Sequence, residues 1–263
     1  MDIINNNIDG GKAFDWGKAS SDYAKYRDIY PEEFYKALVD RGLCISGQKV
    51  LDVGTGTGVL PRNMDSYGAT WTGTDISAEQ IEQAKLMSER AGINAEYCVS
   101  SAEELPFEAG SFDVITACQC FWYFDHARTA PLFSRLLKQD GTLVLMLMNW
   151  LPFEDELAGK TEELVLKYYP DWTGKGDTFH TIEVPEDYLG YFDLAENFAF
   201  RLPVRFTRDS WNGRIKACRG IGASSLTEEQ KLAWEKENRA MLRSYPEEFD
   251  ILHYAAYAIL KKK

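Results

Sequence analysis

Val50-Leu51-Asp52-Val53-Gly54-Thr55-Gly56-Thr57-Gly58 is the stretch of this chain whose residue types could hold a ligand: an apolar run ends in alternating glycines. A helical stretch follows at once. Glycines let a backbone turn sharply and approach a bound molecule, and a helix start offers unpaired N–H groups. A dinucleotide's pyrophosphate calls for the spacing Gly-x-Gly-x-x-Gly. Here the spacing is Gly-x-Gly-x-Gly and residue 59 is Val. Asp52, two places before the first glycine, would repel pyrophosphate and suits a ligand that carries an ammonium group. Further along, Phe121, Trp122, Tyr123 and Phe124 are four successive aromatics followed by Asp125 and His126. They cannot all point into one core, so some of them should line a pocket.

Regular elements are needed to hold these residues in place. Strand-length apolar runs occur at 49–53, 69–74, 95–99, 112–119 and 142–149. Helical stretches fall between them at 58–67, 77–91 and 125–138, and Ser77-Ala78-Glu79-Gln80 has the pattern of a capping box. Strand alternating with helix implies a parallel sheet covered on both faces. The rhythm then breaks. Residues 151–196 are rich in aromatics and acids and read as helices and loops; strands are expected at 198–206 and 253–260, with helices at 210–219 and 227–244. The last two strands are expected to extend one sheet edge. At the front, Pro31 suits the first position of a helix over 31–41. The organisation expected is a helical lid segment (1–44), a Rossmann-like core (45–150), a substrate-covering insert (151–196), and strands and helices completing the sheet (197–263).

The glycine segment resembles motif I of class I S-adenosylmethionine-dependent methyltransferases, an acidic-x-Gly-x-Gly-x-Gly pattern. The likeness continues in order through Trp71-Thr72-Gly73-Thr74-Asp75-Ile76-Ser77, Ser101-Ala102-Glu103-Glu104-Leu105-Pro106-Phe107, Ser111-Phe112-Asp113-Val114-Ile115 and Leu136-Leu137-Lys138-Gln139-Asp140-Gly141. The chain is thereby similar to type 11 methyltransferases. Ala19 to Pro31, with Gln119 and Asp125 around the aromatics, resembles the small-molecule subgroup that contains trans-aconitate methyltransferases. Asp28 and Trp122-Tyr123 depart from that subgroup's usual proline and His-Trp.

The resemblance implies an α/β fold: a Rossmann-like, seven-stranded, mostly parallel sheet with helices on both faces. It implies S-adenosylmethionine as cofactor and S-adenosylhomocysteine as product. It places Asp52, Gly54, Thr55, Gly56 and Gly58 around the cofactor's amino-acid end, Asp75 and Ile76 at the ribose, and Ser101, Ala102 and Glu103 at the adenine. Gln119 lies close by, and Tyr23 and Arg27 would close over the cofactor from the front. A carboxylate's two acceptor oxygens match a vicinal diol, and a guanidinium matches a carboxylate.

Methyl transfer from a sulfonium is an in-line displacement, so the protein's task is to align the reactants and exclude water. It requires no metal, and aromatic faces favour the sulfonium. Ligands of such sheets bind beyond the carboxyl ends of the strands. Trp122, Tyr123, Trp150 and His180 are therefore expected to contact the acceptor, and His126 is the candidate general base. Arg201, Arg205, Arg208, Arg214 and Arg219 are the feature that favours an acidic acceptor.

Composition bounds the partners. Acidic residues outnumber basic ones 41 to 29 for a net charge of −12, which repels a phosphate backbone and makes nucleic acid or an anionic membrane poor partners. No apolar run reaches the ~20 residues of a membrane span and the first residues lack a signal-peptide pattern, so a cytoplasmic monomer or homodimer acting on a small molecule is expected. Five cysteines with no Cys-x-x-Cys pair read as reduced core thiols. Two rival readings are a nicotinamide-dependent oxidoreductase and a non-catalytic S-adenosylmethionine sensor.

Overall fold

The structure, a computed structural model, describes residues 8–15, 25–26 and 28–263. Tyr23 and Arg27 lie outside the described residues. In chain order the elements are α1 (Glu32–Val39), β1 (Lys49–Val53), α2 (Val59–Asn63), β2 (Thr70–Asp75), α3 (Ala78–Ala91), β3 (Glu96–Val99), β4 (Phe112–Cys118), α4 (His126–Leu136), β5 (Leu137–Trp150), α5 (Glu156–Tyr168), α6 (Glu186–Leu189), β6 (Phe192–Thr207), α7 (Arg208–Lys216), α8 (Glu228–Leu242) and β7 (Glu248–Lys262).

All seven strands join one sheet in the order β3-β2-β1-β4-β5-β7-β6. The first five pair in parallel: β1 with β2 and β4, β2 with β3, and β4 with β5. Order reverses between β1 and β4, which makes their carboxyl ends the switch point where such sheets take ligands. In β1 the four residues after Lys49 are all buried, and β5 is buried without a break from Gly141 to Met148. Continuous burial of this kind is what a strand covered on both faces requires.

The helices start and stop where local chemistry directs. The Ser77 side chain accepts from the Gln80 amide at the start of α3, and Gly92, at φ 70°, ends that helix. Ile81, Ala84 and Ser88 form its buried face, three- and four-residue steps that fall on one side of a helix. Thr207 and Thr227 begin α7 and α8 with full capping boxes to Ser210 and Gln230.

Three expectations need correction. The stretch 58–67 is a five-residue α2 followed by a 3-10 turn at Asp65–Tyr67, a short covering over the sheet in place of one long helix. β5 begins at Leu137, so the apparent turn through Gly141 is part of the strand. Pairing moves from Phe112↔Leu137 to Val114↔Thr142, and the extra β5 residues are taken up in a bulge. β6 starts at Phe192, inside the stretch read as helices and loops. As expected, the last two strands extend one sheet edge; β7 lies next to β5 and β6 is outermost.

The chain packs as two units. One holds Tyr30–Met148, His180–Phe200 and Ala255–Lys263; the other holds the described part of 1–29 with Asn149–Phe179 and Arg201–Tyr254. The first contains β1 to β4 whole and part of each remaining strand. The second is built on an aromatic core in which Trp211 lies 5.6 Å from Trp150 and 4.9 Å from Phe206. Among the described residues no helix is long and apolar enough to cross a membrane, and no group of His, Cys, Asp and Glu could hold a metal ion.

Candidate functional site

The sheet register brings the motif residues of the first unit together at one end of the parallel strands. Val53 pairs with Thr74 on β2 and with Ala117 on β4, so the loop after β1, Asp75 at the end of β2 and Gln119 beyond β4 converge at the switch point. Gly54, Gly56 and Gly58 have φ of 70°, 56° and 74°. Residues with a Cβ enter that region at a cost, so the left-handed path of the loop selects glycine. At Gly54 space adds to conformation: a Cβ would stand 2.6 Å from Cys120 Sγ.

Asp75 secures the loop. Its Oδ2 accepts from the Gly56 amide at 2.9 Å and its Oδ1 from the Ser77 amide at 2.9 Å. Burial raises its pKa, against the pull of these amides. The Ile76 amide also acts on this carboxylate, and its four lone-pair sites leave room beside these amides for a further donor such as a ribose hydroxyl. The Thr55 amide donates to Thr74 O at 2.8 Å and the Gly58 amide to Thr55 O at 2.9 Å, which fixes the turn at both sides of Gly56.

Asp52 lies deeper. It is 2% exposed and accepts from Thr116 Oγ1 at 2.7 Å. Burial pushes its pKa up to about 7, opposed by that hydroxyl. A cation placed nearby favours the charged form of such a group.

Ile76, expected at the ribose, is 44% exposed, and Val99, which follows β2's neighbour β3 to its end, is 53% exposed. Val99 pairs in register with Asp75, so two uncovered apolar side chains flank the acid. In the next loop Ala102 is buried, Ser101 O accepts from the Glu104 amide, and Glu103 accepts from the Asp125 amide at 3.0 Å. Glu104 instead meets Arg128 at the surface.

Gln119 has φ 64°, a costly conformation for a residue other than glycine and one that gathers at functional sites. Its own amide donates to Met146 O and its side-chain amide to Met148 O, which anchors it to β5. Trp122 and Tyr123 belong to a 3-10 turn, Phe121–Tyr123, with Trp122 37% exposed and Phe121 buried. His126 opens α4, and its Nε2 lies 2.9 Å from Phe121 O. A carbonyl only accepts, so Nε2 carries the proton and Nδ1 bears the lone pair in the neutral ring.

Trp150 belongs to the second unit, is buried, and donates from Nε1 to Glu162 at 2.7 Å. His180 is exposed, with Nδ1 2.6 Å from Thr181 O. The arginines expected to favour an acidic acceptor meet acids or sulfur instead. Arg201 grips Glu154 through two bonds, Arg205 meets Glu248 and Asp250, Arg208 meets Glu247, and Arg219 pairs with buried Asp9. Arg214 is 2% exposed, 5.1 Å over the Trp150 ring, and donates to Cys218 Sγ.

Sequence reasoning missed Thr116, Cys120 and Val99. Thr116 and Val99 matter through a neighbour on another strand and Cys120 through Gly54 in the loop after β1, so spacing within one segment carries no mark of them.

Comparison with known proteins agrees with this geometry. A family described as a methyltransferase domain matches residues 51–145. The ubiquinone biosynthesis O-methyltransferase of Xanthomonas axonopodis pv. citri is 35% identical over 133 residues, 49% of this chain and 54% of that protein. The chain thus spans little more than half the length of that relative. The protein of the same name from Thiobacillus denitrificans is 31% identical over 160 residues, 60% of this chain and 68% of its own length. Among solved structures, YcgJ from Bacillus subtilis aligns with a TM-score of 0.52 at 20% identity, covering 89% of this chain and all of that one. A structure described for conversion of a disulfide bond into a thioacetal group during echinomycin biosynthesis aligns with a TM-score of 0.55 at 15% identity, covering 92% of each chain. At such identities these two show the likeness of the fold.

Proposed function

Given that the chain belongs to the class I S-adenosylmethionine-dependent methyltransferases, we propose that it transfers a methyl group to a small, uncharged acceptor that bears a hydroxyl group. The observation that carries the reading is the left-handed glycine loop whose central amide is held by Asp75 at the switch point of the sheet. The relatives named above are O-methyltransferases by name, which supports oxygen as the atom methylated. Pairing of Arg201, Arg205, Arg208 and Arg219 with acids removes the support that an acidic acceptor drew from them.

The residues present fit the family's cofactor. Buried Asp52 offers a carboxyl behind the loop that a nearby ammonium would hold in its charged form, Asp75 retains acceptor capacity for a ribose hydroxyl, and exposed Ile76 and Val99 offer apolar surface to a purine. When bound, S-adenosylmethionine supplies a methyl group on a positively charged sulfur. Asp75, itself fixed by the loop, would then orient the ribose, and Ser101 to Glu103 would stand beside the adenine. In this reading His126 takes the acceptor's proton at Nδ1, because Nε2 is committed to Phe121 O. Reduced thiols at all five cysteines fit a cytoplasmic protein.

Calorimetric titration with S-adenosylhomocysteine and with NADH tests the reading. Saturable binding of the first and none of the second is expected; the reverse would assign the loop to a nicotinamide dinucleotide. Labelled-methyl transfer to a panel of phenols, alcohols, amines and carboxylic acids should proceed on the hydroxyl compounds. Binding with no turnover across the panel would leave a sensor as the better reading.

A further inference from the structure

Tyr97, the second residue of β3, is buried with 8% of its surface exposed, and three elements crowd around it. Its hydroxyl oxygen is 2.5 Å from the place a Cβ would take on Gly58, and its ring is 2.8 Å from the place of a Cβ on Gly73. Carbon and oxygen atoms without a bond between them do not approach so closely, so both positions must be glycine for Tyr97 to fit. The same hydroxyl lies 2.9 Å from Ser88 Oγ on α3. Gly58 also needs its left-handed φ, but Gly73 sits within β2 with no such demand. Its missing side chain is explained by Tyr97 and by Thr55, whose Oγ1 would be 2.8 Å from the added carbon.

We infer that Tyr97 is a positioning residue for cofactor binding: its ring, braced by Ser88, wedges between β2 and the last glycine of the loop and fixes where the loop amides stand. The inference rests on the reading that this loop takes the cofactor. The mechanical path is short. Gly58 bonds back to Thr55 O, Thr55 bonds to Thr74 O on β2, and between them the Gly56 amide meets Asp75. Moving Gly58 therefore tilts the turn that presents Gly56. The third glycine of the motif thus makes room for a protein side chain.

The test is S-adenosylhomocysteine titration of the full chain and five variants, with thermal unfolding measured in parallel. If the unaltered chain does not bind, the proposed function fails before this inference is reached. If it binds, Gly73→Ala, which forces the ring toward the loop, should weaken binding about tenfold, near the value of one hydrogen bond or slightly more. Tyr97→Leu should weaken it comparably by removing the wedge. In the double variant Gly73→Ala/Tyr97→Leu, the alanine should cost less than about threefold, because the atoms it would strike are gone and only Thr55 remains. Tyr97→Phe and Ser88→Ala, milder changes that keep the ring, should each raise the KM for S-adenosylmethionine a few-fold with kcat unchanged. Effects that multiply in the double variant would overturn the inference. So would melting temperatures that fall while affinity and KM stay within twofold of the unaltered chain.

Discussion

Asp52 and Asp75 stand in one crevice but differ in how they meet their charge, and each difference can be measured. Asp75 is held by two amides and should supply charged hydrogen bonds to a diol. Asp75→Ala is expected to weaken S-adenosylhomocysteine binding by about 1–3 kcal/mol, read by titration; affinity equal to that of the unaltered chain would place the ribose elsewhere. Asp52 has its pKa raised from 3.8 to about 7. Between those values the folded chain keeps a proton that the unfolded chain has lost, so this group makes stability fall as pH rises toward about 7 and contributes no further slope above it. Asp52→Asn removes the titration, and its melting temperature plotted against pH should lack that decline; parallel curves would show that Asp52 ionises normally. A nearby ammonium favours the carboxylate form, so binding below pH 7 should release protons, seen as an apparent enthalpy that changes with the buffer's ionisation enthalpy. Both acids were legible in the sequence because they stand at fixed distances from glycines and strand ends. Thr116, Cys120 and Tyr97 were not, because a threonine in mid-strand gains its meaning only from the strand laid beside it.

The same contrast holds for whole elements. The alternating core from Lys49 to Leu136 could be read because each strand is a short apolar run bounded by loop residues, and because α3 carries its own start signal. Ser77 supplies it: its cap to Gln80 is a matter of three residues. β5 was misread at its start because Lys138-Gln139-Asp140-Gly141 has the composition of a turn, yet the bulge opposite Phe112 to Val114 takes these residues into the strand. β6 is an edge strand whose first half has five successive exposed residues, Asp193 to Asn197, and gives no alternation to detect, whereas Leu202, Val204 and Phe206 alternate with exposed neighbours and were read. Caps also yield a stability prediction. Thr227→Ala should remove the side-chain half of the α8 capping box and cost about 1 kcal/mol, a fall of ~2–4 °C in melting temperature. An unchanged melting curve would mean that α8 needs no cap, its packing against α5 and α7 being enough.

At the scale of the molecule, a ligand that binds only the folded chain must stabilise it. S-adenosylhomocysteine at 100 times its Kd should add about 2.7 kcal/mol, visible as a raised melting temperature, and an equal excess of NADH should leave the transition where it was. A shift with NADH of the same size would contradict the choice of cofactor at once. The order of the sheet has a consequence of a different kind. β7 is synthesised after β6 and yet separates it from β5. While the ribosome is still making residues 248–262, the growing chain therefore has a berth about two strand spacings wide, ~10 Å, with β5's unmatched amides and carbonyls on one bank. Any passing strand can dock there, so the newborn polypeptide is most open to mispairing in the seconds before its final β-strand arrives.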